Sequence, residues 1–251
     1  MEAEKPITAC VLIIGNEILS GRTQDVNLNY LAKGLNEAGV RLMEARVIPD
    51  IADAIVVAVN EVRAKYDYVL TTGGIGPTHD DITSECVARA FGVPLILHPE
   101  AARVLEASYR ERGVEFNAAR RRMAQVPEGA ELVRNAVSFA PGFRIGNVYV
   151  LAGVPQVMQA MFESLKGELR GGRPVLSRSI SCGLAEGALA EGLGAIQARY
   201  PDVDIGSYPW YRRGSYGVSL ALRSPEPGRL ALAGDEVASL VRALGGTPVE
   251  E

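Results

Sequence analysis

Short apolar runs and helical stripes alternate along the first two thirds of the chain. Residues 7–14 are nearly all apolar, as in a central strand covered on both faces. Leu28, Leu31, Ala32 and Leu35 then recur at helical spacing within residues 26–38, and Gly39 stands where that helix stops. A second strand is predicted over residues 40–48. Ile51, Ile55, Ala58 and Val62 follow it with the helical period. Residues 68–70 read as a third buried strand, which leads through a glycine-rich turn into a helix over residues 84–91. Thr83 is placed to cap that helix, Glu85 suits the positive end of its dipole, and Gly92 is its stop.

Further on, residues 93–97 predict a short strand and Pro99 the first position of a helix reaching residue 112, closed by Gly113. A short helix over 117–124, a turn at 127–129, a strand over 131–134 and a loop over 135–143 come next. Gly146-Asn147 between two apolar runs signals a hairpin or an edge strand, and Val154-Pro155 opens a helix over 156–169. Strands alternating with helices over short connections predict a three-layer α/β domain with a mostly parallel sheet over residues 1–170, its ligand crevice lying beyond the strand carboxyl ends. Gly171-Gly172-Arg173-Pro174 marks a boundary. Beyond it, residues 174–251 carry the pattern strand, helix, strand, strand, helix, with elements at 176–182, 185–200, 203–209, 216–223 and 232–244. That order predicts a small α+β domain of βαββα type.

Composition narrows the function. The chain has 251 residues, 47% apolar and 22% charged, with a net charge of −4, which argues against a nucleic-acid partner. No apolar run reaches membrane-spanning length and residues 1–6 lack the apolar core of a signal peptide, so the expectation is a cytoplasmic protein with no membrane partner. Cys10, Cys86 and Cys182 are far apart in apolar segments and read as buried thiols; without a CxxC pair and with two histidines, a structural zinc site is not expected. Arg120-Arg121-Arg122 fan around a helix as a solvated face, or send one guanidinium to a phosphate. Tyr208, Trp210 and Tyr211 beside Arg212 and Arg213 suit packing against a partner subunit, or stacking on a purine.

The candidate chemistry concentrates in residues 71–83, Thr-Thr-Gly-Gly-Ile-Gly-Pro-Thr-His-Asp-Asp-Ile-Thr. Gly73, Gly74 and Gly76 let backbone N–H groups approach an anion, yet the carboxylates of Asp80 and Asp81 repel a bare phosphate. A divalent cation resolves that conflict. The string is neither the dinucleotide fingerprint nor a P-loop, since no Gly-Lys-Ser/Thr follows.

Thr72-Gly73-Gly74-Ile75-Gly76-Pro77, followed by Asp81-Ile82-Thr83, resembles the signature of the MoaB/Mog-type molybdopterin-binding domain. With Thr78-His79-Asp80-Asp81 it is most similar to two branches: the amino-terminal domain of the competence/damage-inducible protein CinA, and the molybdopterin-binding-like domain of eukaryotic FAD synthases. The resemblance implies a MoaB/Mog-like fold and metal-dependent hydrolysis of the pyrophosphate bond in an adenine dinucleotide, ADP-ribose or FAD. Asp81 with Asp80 would then hold Mg, Mn, Co or Ni, the Thr72–Gly76 turn would bind phosphate oxygens, and Asp50 or Glu17 would position the attacking water. Asn16 and Asn27 would line the cleft, and Gly153 and Pro155 its second wall, where Ala152 replaces the family's usual proline. A plainer reading makes Asn16 and Asn27 turn caps, Glu17 a solvated carboxylate, and Asp50 a cap paired with Asp53. The alternatives in function are adenylylation of molybdopterin, with molybdopterin as ligand, and a pterin- or nucleotide-binding module without catalysis. Against the first, Mog-type proteins usually have an arginine where this chain has Asp80, and they lack a C-terminal βαββα domain. The same resemblance implies a homo-oligomer, dimer or trimer, acting on a small nucleotide or pterin.

Overall fold

Strand β1, Thr8–Ile14, runs through the centre of the first unit of the chain and alternates its side chains between two cores. The structure, a computed structural model, describes residues 6–212 and 214–250; residues 1–5, Arg213 and Glu251 lie outside the described residues. The chain divides into units Met1–Gly172 and Arg173–Glu251.

In the first unit β1 is followed by α1 (Asn16–Leu19), α2 (Asn27–Glu37), β2 (Arg41–Ile48), α3 (Ala52–Lys65), β3 (Tyr68–Thr72) and α4 (Thr83–Phe91). Then come β4 (Leu95–Leu97), α5 (Pro99–Glu111), α6 (Ala118–Arg122), β5 (Gln125–Pro127), β6 (Glu131–Val133), β7 (Gly142–Ile145), β8 (Val148–Leu151) and α7 (Pro155–Lys166). The main sheet has the order β2-β1-β3-β8-β7-β6. It is parallel from β2 to β8 and antiparallel from β8 to β6.

One face of β1, with Cys10, Leu12 and Ile14, packs against Ile55, Val59 and Val62 of α3 and Val87 of α4. The other face, with Ala9, Val11 and Ile13, packs against Leu31 and Leu35 of α2 and Met158, Phe162 and Leu165 of α7. The result is the expected three-layer α/β domain with a mostly parallel sheet. Each fully buried leucine or isoleucine contributes about 1.5–3 kcal/mol, so the two cores hold the sheet rigid where its strands end. A satellite core of Ala101, Leu105 and Ala124, with Phe116 and Met123 against it, fixes α5 and α6 over the small β4-β5 sheet.

Several local expectations change. The residue capping α4 is Ile82, not Thr83: the Thr83 amide donates to the Gly74 carbonyl (2.9 Å), and its hydroxyl is buried without a partner among the described residues. Asp50 and Asp53 do not cap α3, whose cap, Ile51, makes no side-chain bond. Asp53 pairs with Arg89 at 2.9 Å, and Asp50 turns toward α1. The β7-β8 segment is a hairpin, but β8 is interior, inserted between β3 and β7. The short α1 and β5 carry too few residues for a period to show.

The second unit contains β9 (Leu176–Cys182), α8 (Glu186–Arg199), β10 (Asp204–Arg212), β11 (Ser215–Ser224), α9 (Pro227–Ala243) and β12 (Val249–Glu250). Its antiparallel sheet has the order β10-β11-β9-β12, and Ile180, Val218, Leu220 and Leu222 pack on Leu189, Ile196, Val237 and Val241. The expected βαββα order gains a two-residue strand, and α9 begins at Pro227 rather than at 232. Trp210 donates to the Ser181 hydroxyl and Arg212 lies over its ring, while Tyr211 is 76% exposed. All three cysteines are buried and free, and burial pushes the Cys10 and Cys86 thiols up to about 11. Among the described residues no helix is long and apolar enough to cross a membrane.

Candidate functional site

The parallel strands β2, β1, β3 and β8 end side by side, and the loops after them meet. After β3 the chain turns through Gly73 (φ 100°) and Gly74 (φ 67°), which favour glycine. A Cβ on Gly73 would collide with the Ile14 carbonyl oxygen at the end of β1, so the turn lies directly on the neighbouring strand. The loop after β8 closes on it from the far side: a Cβ on Gly153 would come within 3.3 Å of the Gly73 Cα.

Asp81 lies back along the same loop. Its Oδ2 accepts from the Thr78 amide (2.8 Å) and the Thr78 hydroxyl (2.5 Å), close enough to Gly76 that a Cβ there would lie 2.6 Å from it. From behind, Arg122 of α6 donates to the Asp81 carbonyl at 3.3 Å. Hydrogen bonding by Thr78, then by its own backbone, holds the Asp80 carboxyl below the usual carboxylate range, so it is ionised at neutral pH. At the end of β2, Asp50 Oδ2 accepts from the Asn16 amide (2.8 Å), tying the β2 and β1 loops together. Glu17 curls back over Gly15, where a Cβ would lie 2.5 Å from both carboxylate oxygens.

These loops enclose a cleft of about 440 Å³. Glu17, Asp50, Asp80, Asp81 and the Gly73–Gly76 turn line it together with Arg112 and the apolar side chains of Tyr109, Met123, Val157 and Met161, the apolar wall of the cleft. A smaller hollow of about 60 Å³ adjoins it through shared Ile14, Glu17, Gly73 and Gly153, and is also lined by Asp25, Asn27, Thr72 and Pro155. Behind the aspartate loop, a third hollow of about 250 Å³ contains Arg122, Ser84, Glu85 and Gln125.

The donor set is all oxygen, and among the described residues no three His, Cys, Asp or Glu side chains converge as a metal cage. That chemistry fits a hard divalent cation held by one or two carboxylates, its other positions taken by water and phosphate oxygens. It does not fit a closed structural metal site.

Residues 10–171 match the family described as "Probable molybdopterin binding domain". The chain belongs to that family. Residues 174–245 match a second family, "FAD synthase, middle domain". A protein of Archaeoglobus fulgidus is 37% identical over 200 residues, covering 79% of this chain and 84% of the relative. A CinA-like protein of Citrifermentans bemidjiense is 40% identical over 201 residues, covering 76% of this chain but 48% of the relative, so the chain spans about half the length of that protein. The crystal structure of CinA, of unknown function, from Thermoplasma acidophilum matches with a TM-score of 0.60 at 31% identity, covering 65% of this chain and 98% of that one.

Within this molybdopterin-binding-type fold, Glu17, Asp50, Gly73, Gly74, Gly76, Asp80, Asp81 and Gly153 line the wide cleft. Asn27, Thr72 and Pro155 line the smaller hollow instead. Asn16 meets the site through its backbone amide on Asp50. Sequence reasoning missed the apolar wall. Tyr109 lies in the last turn of α5 and Arg112 is its C-cap, but nothing local says that this end of the helix looks into the cleft. Arg122 was legible only as one of three arginines, of which Arg120 lies over the Tyr109 ring and Arg121 over Phe116.

Proposed function

We propose that the protein is a metal-dependent hydrolase of the pyrophosphate bond in an adenine dinucleotide such as ADP-ribose or FAD. One observation carries this reading: a glycine turn, four carboxylates and a set of apolar side chains line a single cleft. A diphosphate needs backbone N–H donors, a planar base needs apolar surface, and carboxylates beside phosphates need a cation between them. The match of residues 174–245 to a domain of FAD synthase supports a dinucleotide of this kind.

In this reading the Gly74–Gly76 amides hold phosphate oxygens, because Thr72 lies within β3 and the Gly73 amide donates to the Leu151 carbonyl at 3.1 Å, while the close packing of Gly153 on Gly73 keeps the floor of the cleft from flexing. Asp80 and Asp81 would hold a Mg, Mn, Co or Ni ion, which when bound supplies neutralisation of the diphosphate charge. Arg122 keeps the Asp81 backbone in place, and Asp50 or Glu17 orients the water. The apolar wall from Tyr109 to Met161 excludes water around the base. A cytoplasmic location is carried with the same proposal, since three free buried thiols suit a reducing compartment.

The test is AMP release from ADP-ribose and FAD with each metal and then with chelator. AMP is expected only with metal, and Asp81→Ala should lower the rate by on the order of 100-fold or more. Absence of AMP from both substrates sinks the reading. A second reading then gains: the first family's description favours a pterin ligand, and ATP with molybdopterin would be tried for adenylylation.

A further inference from the structure

Granted the hydrolase reading above, on which this depends, we infer that the small hollow holds the attacking water and that Glu17, rather than Asp50, takes its proton. The strongest sign is Asn27, 5% exposed at the start of α2. Its Nδ2 donates to the Gly153 carbonyl at 2.8 Å, which identifies the other terminal atom as the oxygen. That oxygen, Oδ1, is buried with no partner among the described residues. An unmet buried acceptor is destabilising, and a water donor removes that cost.

The hollow is large enough for water and has polar groups within an otherwise largely apolar lining. At about 60 Å³ it exceeds the minimum for one water, but it cannot take a base alongside the 440 Å³ cleft that has the apolar wall. Its lining is polar where water needs partners, with Glu17, Asp25, Asn27 and Thr72. Asp25 is already engaged, accepting from the Leu28 amide at 2.9 Å. Of the four carboxylates of the wide cleft, Glu17 alone also lines the hollow. Asp50 is absent from the hollow, and its Oδ2 is committed to the Asn16 amide.

A water donating one hydrogen to Asn27 Oδ1 and the other to Glu17 keeps its lone pairs free for a diphosphate that, in the hydrolase reading, lies on the Gly74–Gly76 amides. Its oxygen forms a bond to the adenylyl phosphorus while the bond from that phosphorus to the bridging oxygen breaks. The bridging oxygen leaves with the electron pair on the other phosphate, and the water proton passes to the Glu17 carboxylate. The products are AMP and the second phosphomonoester.

The experiment compares wild type, Glu17→Gln, Asp50→Asn, Asn27→Asp and Asn27→Leu in metal-supplemented AMP release. Titration with AMP and a high-resolution crystal structure of the wild-type protein accompany the kinetics. Glu17→Gln should lower kcat by about 100-fold or more with KM and AMP affinity little changed, a loss at least about tenfold larger than that of Asp50→Asn. Asn27→Leu should lower kcat more than Asn27→Asp, which keeps an acceptor oxygen. The crystal structure should show an ordered water within hydrogen-bond distance of Asn27 Oδ1. Turnover by wild type with Asp50→Asn hurt more than Glu17→Gln overturns the inference alone, as does a dry hollow. Glu17 is exposed, so its variant decides the matter even where Asn27 variants fail to fold. Wild-type protein that releases no AMP removes the hydrolase reading and this inference together.

Discussion

Gly73 is where a single residue constrains most. Its φ of 100° and its contact with the Ile14 carbonyl leave no room for a side chain. Gly73→Ala should therefore cost more than about 1 kcal/mol in urea unfolding and remove phosphate binding outright. A variant of unchanged stability would show that the turn relaxes. The cysteines give a second residue-scale prediction. With Cys10, Cys86 and Cys182 buried, and the first two held as thiols to about pH 11, a thiol reagent at pH 8 should label none of them in the folded protein and all after denaturation. Their burial could be read from apolar neighbours, because that signal is local. The tie from Asp50 to Asn16 could not, because its partner is 34 residues away.

At the scale of elements, two connections deserve measurement. Helix α6 reaches the aspartate loop through Arg122. Arg122→Met should lower kcat/KM by about tenfold while changing stability by no more than about 1.5 kcal/mol. Equal kcat/KM would mean that the loop needs no support from behind. The β2-α3 contact is held by charge: Glu44 bonds Arg46, Tyr66 and Lys65, and Arg46 reaches Glu61. Hydrogen bonds from Arg46, Tyr66 and Lys65 lower the Glu44 carboxyl from its ordinary 4.5 to about 2. A lowered folded value means the contribution is complete above pH 4.5 and is lost as pH falls toward 2. Solvent screening limits it to on the order of 1 kcal/mol. Glu44→Gln should thus flatten the acid side of the thermal-stability profile between those pH values; an unchanged profile would assign the acid sensitivity to other carboxylates. Apart from Glu44 and Arg46, which are two apart on β2, these links join distant segments of the chain and were not visible as a pattern.

For the whole molecule, each unit has its own core, so residues 174–251 expressed alone should unfold cooperatively with a single midpoint. A broad, non-cooperative profile would show that this core needs the rest of the chain. A homo-oligomer, dimer or trimer, remains a proposal; β2 is an edge strand whose Met43 is 60% exposed, and light scattering at several concentrations would decide it. The sequence by itself determined the alternation of strands and helices, the two-part division, the glycine turn with its paired aspartates, and through them the family. Hydrophobic period, turn glycines and short motifs act over a few residues, so they are written where they act. Tertiary structure alone decided that β8 inserts beside β3, that α5, α6 and α7 deliver Tyr109, Met123 and Met161 to one wall, and that Glu17 faces two hollows while Asp50 faces one. The physical reason is that a cleft is made by packing segments distant in the chain, and which helix face turns inward depends on the sheet order beneath it rather than on the helix's own residues.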